Sequence, residues 1–567
     1  MSPLTQYRLA VRLLCRGPGW RSGDTGNVTI KIDGRRRRAM RDVLATPMSV
    51  RQFNLDLVAS ALESAGVDYF AIPHDEGVSS RIGVHVNDRA AVLAALHGAV
   101  DRSHVVVAIK VRRRSELVWV YRPTATAGPY LRFGSGCRCQ IEFWTERDGM
   151  LHAPVPNAVC AALPTQSTAV TVTAGELSAF VPDDLPAKYV SRLQFSGPRA
   201  LSVDFPIDAV YTWVDGSDEL WRDRWRVVRG EHPVLSFQSA NESRYVDREE
   251  LRYSLRSINL YAPWIRHIYL VTDDQLPYWL NPDSAELTVV SHRDLFTTGA
   301  RLPTFNSHAI ESQLHRIPGL SEHFIYFNDD MFLGRAIGPS TFFHANGVAK
   351  FFPSATALVG MGDPTFDELP VTAAGKNNRH VIRQRFGRTI AQKMKHAPYA
   401  MRRSVMENIA QELDQHVART RDSQFRSPYD LSIASSLHHY WSYLQGTSVP
   451  GSLSYLYTDL NDVETGQRLF RLLHRRDFDT FCLNDTDSDP RTAGETTELI
   501  RLFLEQYFPV RSPFEVSVEA EARRRGISAT ELATQWRAAS GASVDPLPMS
   551  NRDSAVVPPT LSSAQVR

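Results

Sequence analysis

Three apolar runs in this 567-residue chain each end in carboxylates. Val203–Trp213 leads to Asp215 and Asp218, His267–Val271 to Asp273 and Asp274, and His323–Phe327 to Asp329 and Asp330. If these runs are neighbouring parallel strands, their ends converge, because an open α/β sheet binds ligands outside the carboxyl ends of its strands. Clustered carboxylates repel one another, and a divalent cation offsets that cost. Mg²⁺ (or Mn²⁺) suits the pattern, since Mg²⁺ takes a few carboxylates together with phosphate oxygens. The competing reading is local, because Asp after a strand also closes turns and caps helices. Three pairs in one stretch favour a site. Asn328-Asp-Asp330 is the sharpest of them, because it is pinned between an apolar strand and Met331-Phe332, where a charge must be paired or metal-bound.

Other residues could complete such a centre. Thr304-Phe-Asn-Ser-His308 precedes an apparent helix over 309–316, with Asn306 or Ser307 placed to cap it. A helix N-terminus is a natural phosphate site, and His308 would sit beside it. His396 offers proton transfer near neutral pH. Arg421 and Arg426 flank residues 422–425, and guanidinium forks match the geometry of a diphosphate. Asn484-Asp-Thr-Asp-Ser-Asp489 spaces acids like the start of a calcium loop, but it lacks the glycine and the closing glutamate.

The elements that must position these groups read as α/β. Strands alternate with helical stretches such as Arg248–Leu260, which predicts an open, mostly parallel sheet covered on both faces. This core spans 201–350. A loop-rich insertion is expected over 351–392, and a helical part over 393–515 completes the site. Upstream, 46–200 reads as a separate small α/β domain of unread role. Residues 1–45, with the basic run Arg35–Arg38, read as a flexible lead-in whose arginines are solvated or touch an anionic surface. Residues 545–567 read as a disordered tail.

Composition sets the outer limits. A 22% charged, 43% hydrophobic chain with formal net charge +2 is ordinary for a globular protein, and no global field draws nucleic acid. No run approaches the ~18–20 apolar residues of a membrane span. The five cysteines are odd in number and show no metal-type spacing, so reduced thiols are expected. Together these place the chain in the cytoplasm, with peripheral attachment at the inner face of the membrane left open.

Four blocks carry a resemblance. The first is Ile207-Asp-Ala-Val-Tyr-Thr-Trp-Val-Asp-Gly-Ser-Asp218. The second opens with Arg244-Tyr-Val-Asp-Arg-Glu-Glu-Leu-Arg-Tyr-Ser-Leu-Arg256 and runs through Leu302-Pro-Thr-Phe-Asn-Ser-His308 to Phe324-Ile-Tyr-Phe-Asn-Asp-Asp330. The third runs from His396-Ala-Pro to Phe425-Arg-Ser-Pro428 and His438-His-Tyr440, and a weaker fourth surrounds Cys482-Leu-Asn-Asp485. The sequence resembles the Stealth family of sugar-1-phosphate transferases, nearest the bacterial exopolysaccharide and capsular type. The resemblance implies a nucleotide-sugar-binding, Rossmann-like core. It implies transfer of a sugar-1-phosphate from a UDP-hexose or UDP-N-acetylhexosamine to a glycan hydroxyl. Asp330, Asp329, His396 and Arg426 then look catalytic, with Asp329 and Asp330 as cation holders. Trp213, Asp215, Asp218, Arg252, Asn306, Ser307, His308 and Arg421 look substrate-binding. The animal members select protein acceptors with large inserted modules, and the short segment here favours a polysaccharide. The same acidic crevice would also serve a metal-dependent glycosyltransferase, and a silent glycan-binding envelope protein is the more distant alternative.

Overall fold

The computed structural model describes residues 26–540 apart from 76, 113–114, 183–184, 232–244, 463 and 486–492. The expected tail and most of the acidic loop at 484–489 therefore lie outside the described residues. The architecture is mixed α/β, with several sheets of differing strand direction.

The expected flexible lead-in is instead partly sheet. Asn27–Ile32 (β1) pairs antiparallel with Arg35–Arg41 (β2). Val28, Ile30, Ile32 and Ala39 turn inward at the two-residue period of a strand, and this burial orders the segment. The arginine run lies on β2, where Arg36 pairs opposite Lys31 and both are exposed.

Pro47–Ser64 (α1) begins with a reciprocal cap between Thr46 and Ser49 and carries a proline in its first turn. Together with Arg89–Ser103 (α2) it covers a sheet that includes Tyr69–Ile72 (β3), Ser80–His85 (β4), Val106–Arg112 (β5), Ser115–Tyr121 (β6) and Cys139–Arg147 (β7). Leu55, Val58, Leu62, Ile82, Val118 and Ile141 form its core. The segment is not walled off, because Tyr130, Leu131 and Phe133 belong to the same apolar cluster as the sheet that follows.

That sheet positions the site. Its strands are Ile207–Thr212 (β8), Ile268–Thr272 (β9), Leu287–Ser291 (β10), His323–Asn328 (β11) and, later, Tyr399–Arg402 (β13). Their order is β10-β9-β8-β11-β13, parallel throughout except for the antiparallel β13 edge. β8 and β11 are central and buried on both faces, which explains their near-continuous apolar sequences. The one buried acid of β8, Asp208, is held by Arg266 at 2.8 and 2.7 Å and by the Ser321 amide. Glu219–Glu231 (α3) follows β8, and Glu250–Tyr261 (α4) is buried on nearly every side.

Met331–Leu333 (β12) leaves this sheet immediately after the Asp329-Asp330 turn. It pairs antiparallel with Thr480–Asn484 (β15), whose other neighbour is the parallel strand Tyr455–Asp459 (β14). The loop-rich insertion expected over 351–392 contains a 17-residue helix, Pro370–Phe386 (α6), started by proline and ended by Gly387 in the left-handed region. The part expected to be helical, 393–515, mixes strands β13–β15 with helices that include Asp414–Arg421 (α7) and Ala493–Tyr507 (α8), and Val518–Arg525 (α9) follows it. Among the described residues, no helix is long and apolar enough to cross a membrane.

Candidate active site

The three strand ends do not share one fate. Asp215 accepts from the amide and hydroxyl of Ser217 at 2.8 and 2.6 Å and so closes its own turn. Asp218 caps α3 through the amides of Leu220 and Trp221 and also accepts from Gln275. Although burial opposes it, these bonds hold the Asp218 carboxyl below its ordinary value. Neither aspartate is among the residues that line the two clefts at the β11 end, and the bonds described give each a local capping role where substrate binding was expected. At the end of β9, Asp273 pairs with Arg224 at 2.8 Å, and Asp274 accepts from Ser291 at 2.6 Å.

The β11 end is different. Asn328, Asp329 and Asp330 line a cleft of about 660 Å³ shared with Glu250, Glu311, His396 and Arg426. The strand switch puts them there. Asp330 is the last residue before β12, its carbonyl accepts from Leu483, and β15 brings Cys482 and Asn484 beneath its side chain. Asp330 Oδ2 accepts from Asn484 Nδ2 at 3.0 Å and from the Cys482 thiol at 3.2 Å. His396 Nε2 stands 3.5 Å from the same oxygen. Asp330 Oδ1 is buried without a hydrogen-bond partner, and His396 Nε2, also buried, is turned to Asp330 Oδ2. His396 is carried on the turn that leads into β13, the antiparallel edge of the same sheet, so the later segment does return over the crevice.

Charge in the cleft is uneven. Burial would push Asp330 up, but the charge and hydrogen bond of His396, with help from Cys482 and Asn484, hold it below its ordinary value. Burial works against the His396 cation too, yet Asp330 raises it above the usual histidine value. Asp329 next door is pushed up to about 8, by burial first and then by Asp330 and Asp247. Asp247 goes to about 8 through burial and Glu250. Glu250 goes to about 7 through burial, with Arg248 opposing and Asp329 adding. Burial and mutual repulsion thus make these three acids hold their protons more readily than solvated carboxylates do.

A second wall comes from the segment after α7. Ser307–Glu311 forms a short helix (α5), earlier and shorter than the helix expected over 309–316, and of the two expected caps it is Asn306 that caps it. Asn306 is fully buried and donates to Asp430 at 2.8 Å and to the Ser423 carbonyl at 3.0 Å. His308 Nδ1 meets Asp430 at 3.4 Å, so the Asn306 and His308 side chains fasten the 421–430 segment to the sheet. This brings Arg426 into the cleft, where Nη2 donates to Ser307 Oγ at 2.7 Å. Trp213, Ser307 and Arg426 border an adjoining pocket of about 150 Å³ that also touches Asp329.

Two expected binding residues lie elsewhere. Arg421 is engaged by Asp422 at 2.8 and 3.0 Å and by Thr297, and it does not line the cleft. Arg252 is buried inside α4's contact with the later chain, paired with Glu515 at 2.8 Å and with both oxygens of Glu521. Arg256 grips the same Glu515 through two bonds. This cluster is structural. Conversely, Asp247, Glu250, Glu311 and Cys482 reach the centre with no role assigned to them from the sequence, and Asn484 reads there only as the start of a calcium-like loop. Their shared signal is a place within the resembling blocks.

The comparisons identify the family. The models of Stealth protein conserved regions 1, 2, 3 and 4 match residues 205–232, 244–351, 395–443 and 470–525, in chain order. Exopolysaccharide phosphotransferase SCO6023 of Streptomyces coelicolor is 44% identical over 496 residues, covering 83% of each chain. Exopolysaccharide phosphotransferase CpsY of Mycobacterium leprae is 38% identical over 402 residues, covering 70% of this chain and 72% of the relative. CpsY of Mycobacterium tuberculosis is 35% identical over 410 residues, covering 72% and 75%. Regions 1 and 2 supply β8, β11 and Asp330, region 3 supplies His396 and Arg426, and region 4 supplies Cys482 and Asn484. The chain belongs to the Stealth family.

Proposed function

We propose that this chain is a phosphotransferase of polysaccharide synthesis. It moves a sugar-1-phosphate from a UDP-hexose or UDP-N-acetylhexosamine to a hydroxyl of a glycan acceptor. The reading rests on one arrangement above all: Asp330 and His396 face each other at 3.5 Å in the same cleft that receives Arg426. A hydroxyl of the acceptor attacks the phosphorus next to the sugar, the phosphoanhydride bond breaks, and a nucleoside monophosphate leaves. The hydroxyl proton passes to His396 Nε2, the buried ring atom turned to Asp330 Oδ2. Asp330 balances the charge that then forms on the ring. Arg426, steadied by Ser307, is placed to clamp phosphate oxygens. Positioning and charge neutralisation carry most of the catalysis in such reactions.

The surplus of buried acids supports a divalent cation, Mg²⁺ or Mn²⁺, held by Asp329 and Asp330, which would neutralise phosphate charge when bound. The parallel strands β10-β9-β8-β11 support a Rossmann-like reading in which the nucleotide sits beyond their carboxyl ends. The adjoining pocket beside Trp213 is our choice for that nucleotide. The free thiols at Cys137, Cys139, Cys160 and Cys482 suit a reducing compartment, and we place the enzyme in the cytoplasm at the inner face of the membrane.

The test is the nucleotide released when the purified protein meets UDP-sugars, Mg²⁺ and candidate glycans. UMP is expected. UDP would overturn the reading in favour of attack at the sugar carbon. No release from any donor by a folded protein would favour glycan binding without chemistry.

A further inference from the structure

We infer that Asp330, His396 and Cys482 together form a site for a borderline-soft divalent metal, zinc before others, at the floor of the cleft. The three groups come from three separate parts of the chain: the β11–β12 turn, the approach to β13, and β15. Their donor atoms, a carboxylate oxygen, an imidazole nitrogen and a thiol sulphur, all lie within 4.8 Å of one another. Zinc bonds oxygen and nitrogen at about 2.0–2.2 Å and sulphur at about 2.3 Å, which puts tetrahedral donors about 3.3–3.8 Å apart. The separations here are 3.2 Å from Cys482 Sγ to Asp330 Oδ2 and 3.5 Å from His396 Nε2 to the same oxygen. Two of the three separations are therefore already close to those of a metal's coordination sphere.

Two further observations point to a ligand. Asp330 Oδ1 is buried with no hydrogen-bond partner, and His396 Nε2, also buried, has only the 3.5 Å contact with Asp330 Oδ2, so the carboxylate and the ring both keep capacity for a metal. The donor types also discriminate. Magnesium favours oxygen, whereas one imidazole and one thiolate select zinc or its neighbours. Asn484 stays on Asp330 Oδ2 as an outer support that orients the carboxylate. Three protein ligands leave the fourth position to water or a substrate oxygen. Metal entry would expel the Cys482 proton to solvent as the Zn–S bond forms.

If the phosphotransferase reading is right, zinc here occupies the nitrogen that serves as base and shares Asp330 with the catalytic cation. It would then act as an inhibitor, tying polysaccharide output to free zinc. That consequence rests on the function proposed above, but the site itself does not.

The experiment is cobalt and zinc titration of the chelator-treated full chain. Co²⁺ should give a thiolate-to-cobalt charge-transfer band and the intense visible bands of tetrahedral cobalt. Cys482→Ser should abolish the charge-transfer band. His396→Ala should weaken zinc about a hundredfold or more against a chromophoric chelator, with unchanged melting temperature in the absence of metal. Absence of the band in the natural protein, or its survival in Cys482→Ser, would overturn the site. Should Cys482→Ser fail to fold, the His396→Ala affinity decides alone, and an unchanged value overturns it. Zinc should also suppress UMP release. A protein that shows the cobalt band yet releases no UMP keeps the metal site and loses the phosphotransferase reading.

Discussion

At the scale of single residues, Asp330 is the most heavily used side chain in the cleft. One of its oxygens takes Asn484 and Cys482 and faces His396, while the other is bare. Asp330→Asn keeps the shape but removes the charge that makes His396 a stronger base. His396→Ala removes the base itself. Each should cut the rate of UMP release about 10²–10⁴-fold while leaving the denaturant midpoint within ordinary scatter. Rates near those of the natural protein in either variant would take that residue out of the mechanism. The sequence marks Asp330 by its place between apolar runs and His396 by its place in the third resembling block. It did not reveal the roles of Asp215 and Asp218. A strand-end aspartate looks the same whether it caps a helix or faces a ligand, and only the direction of the chain after it decides.

At the scale of elements, α4 shows how a resembling block can mislead. Arg252 sits in the second block and suits a phosphate, but its guanidinium is 1% exposed and clamped by Glu515 and Glu521. Those partners lie 263 and 269 residues away, a distance no local pattern reports. Glu515→Gln leaves two buried arginines short of charge and should cost about 3–5 kcal/mol, read by chemical denaturation. Arg252→Lys should destabilise as well, because the fork is lost. A rise in donor KM with unchanged stability would restore Arg252 to the substrate. The strands themselves were easier to read. β8, β9 and β11 fall within a residue or a few of their expected places, because buried parallel strands write themselves as apolar runs. Helix α6 was missed because its Gly375 and the glycines before it weaken the helical pattern that burial then enforces.

At the scale of the whole molecule, folding holds several histidines neutral and one glutamate charged. Burial drops His292 and His439 to about 4. Burial opposes the charge on Glu515 also, but Arg256 and Arg252 win and hold it far below the carboxylate range. The unfolded chain binds protons at its histidines near 6.5 while the folded chain does not, so stability is full above that pH and declines below it. Each of the two histidines accounts for about 3 kcal/mol once the pH is below both of its values. The Glu515 contribution is present above about 4.3 and is lost only below it. These two rings therefore pull the melting temperature down as pH falls below 6.5, while Asp329, Asp247 and Glu250, raised to about 8, 8 and 7, push it up as pH falls through those values. The histidine share is read by difference: His439→Gln should remove part of the decline between pH 6.5 and 4 relative to the natural protein, and an unchanged slope would contradict the burial of that ring.

The pairing of β12 with β15 has a consequence for how the protein is made. Asp330 and Cys482 are 152 residues apart in the chain but in contact in the fold. At about 5–20 residues per second, a ribosome needs on the order of 10 s to deliver the second after the first. During that interval the emerging polypeptide has its sheet and its acidic turn but no floor beneath them. Competence for catalysis thus arrives late in synthesis, and nascent chains stalled before β15 should be inert toward the donor.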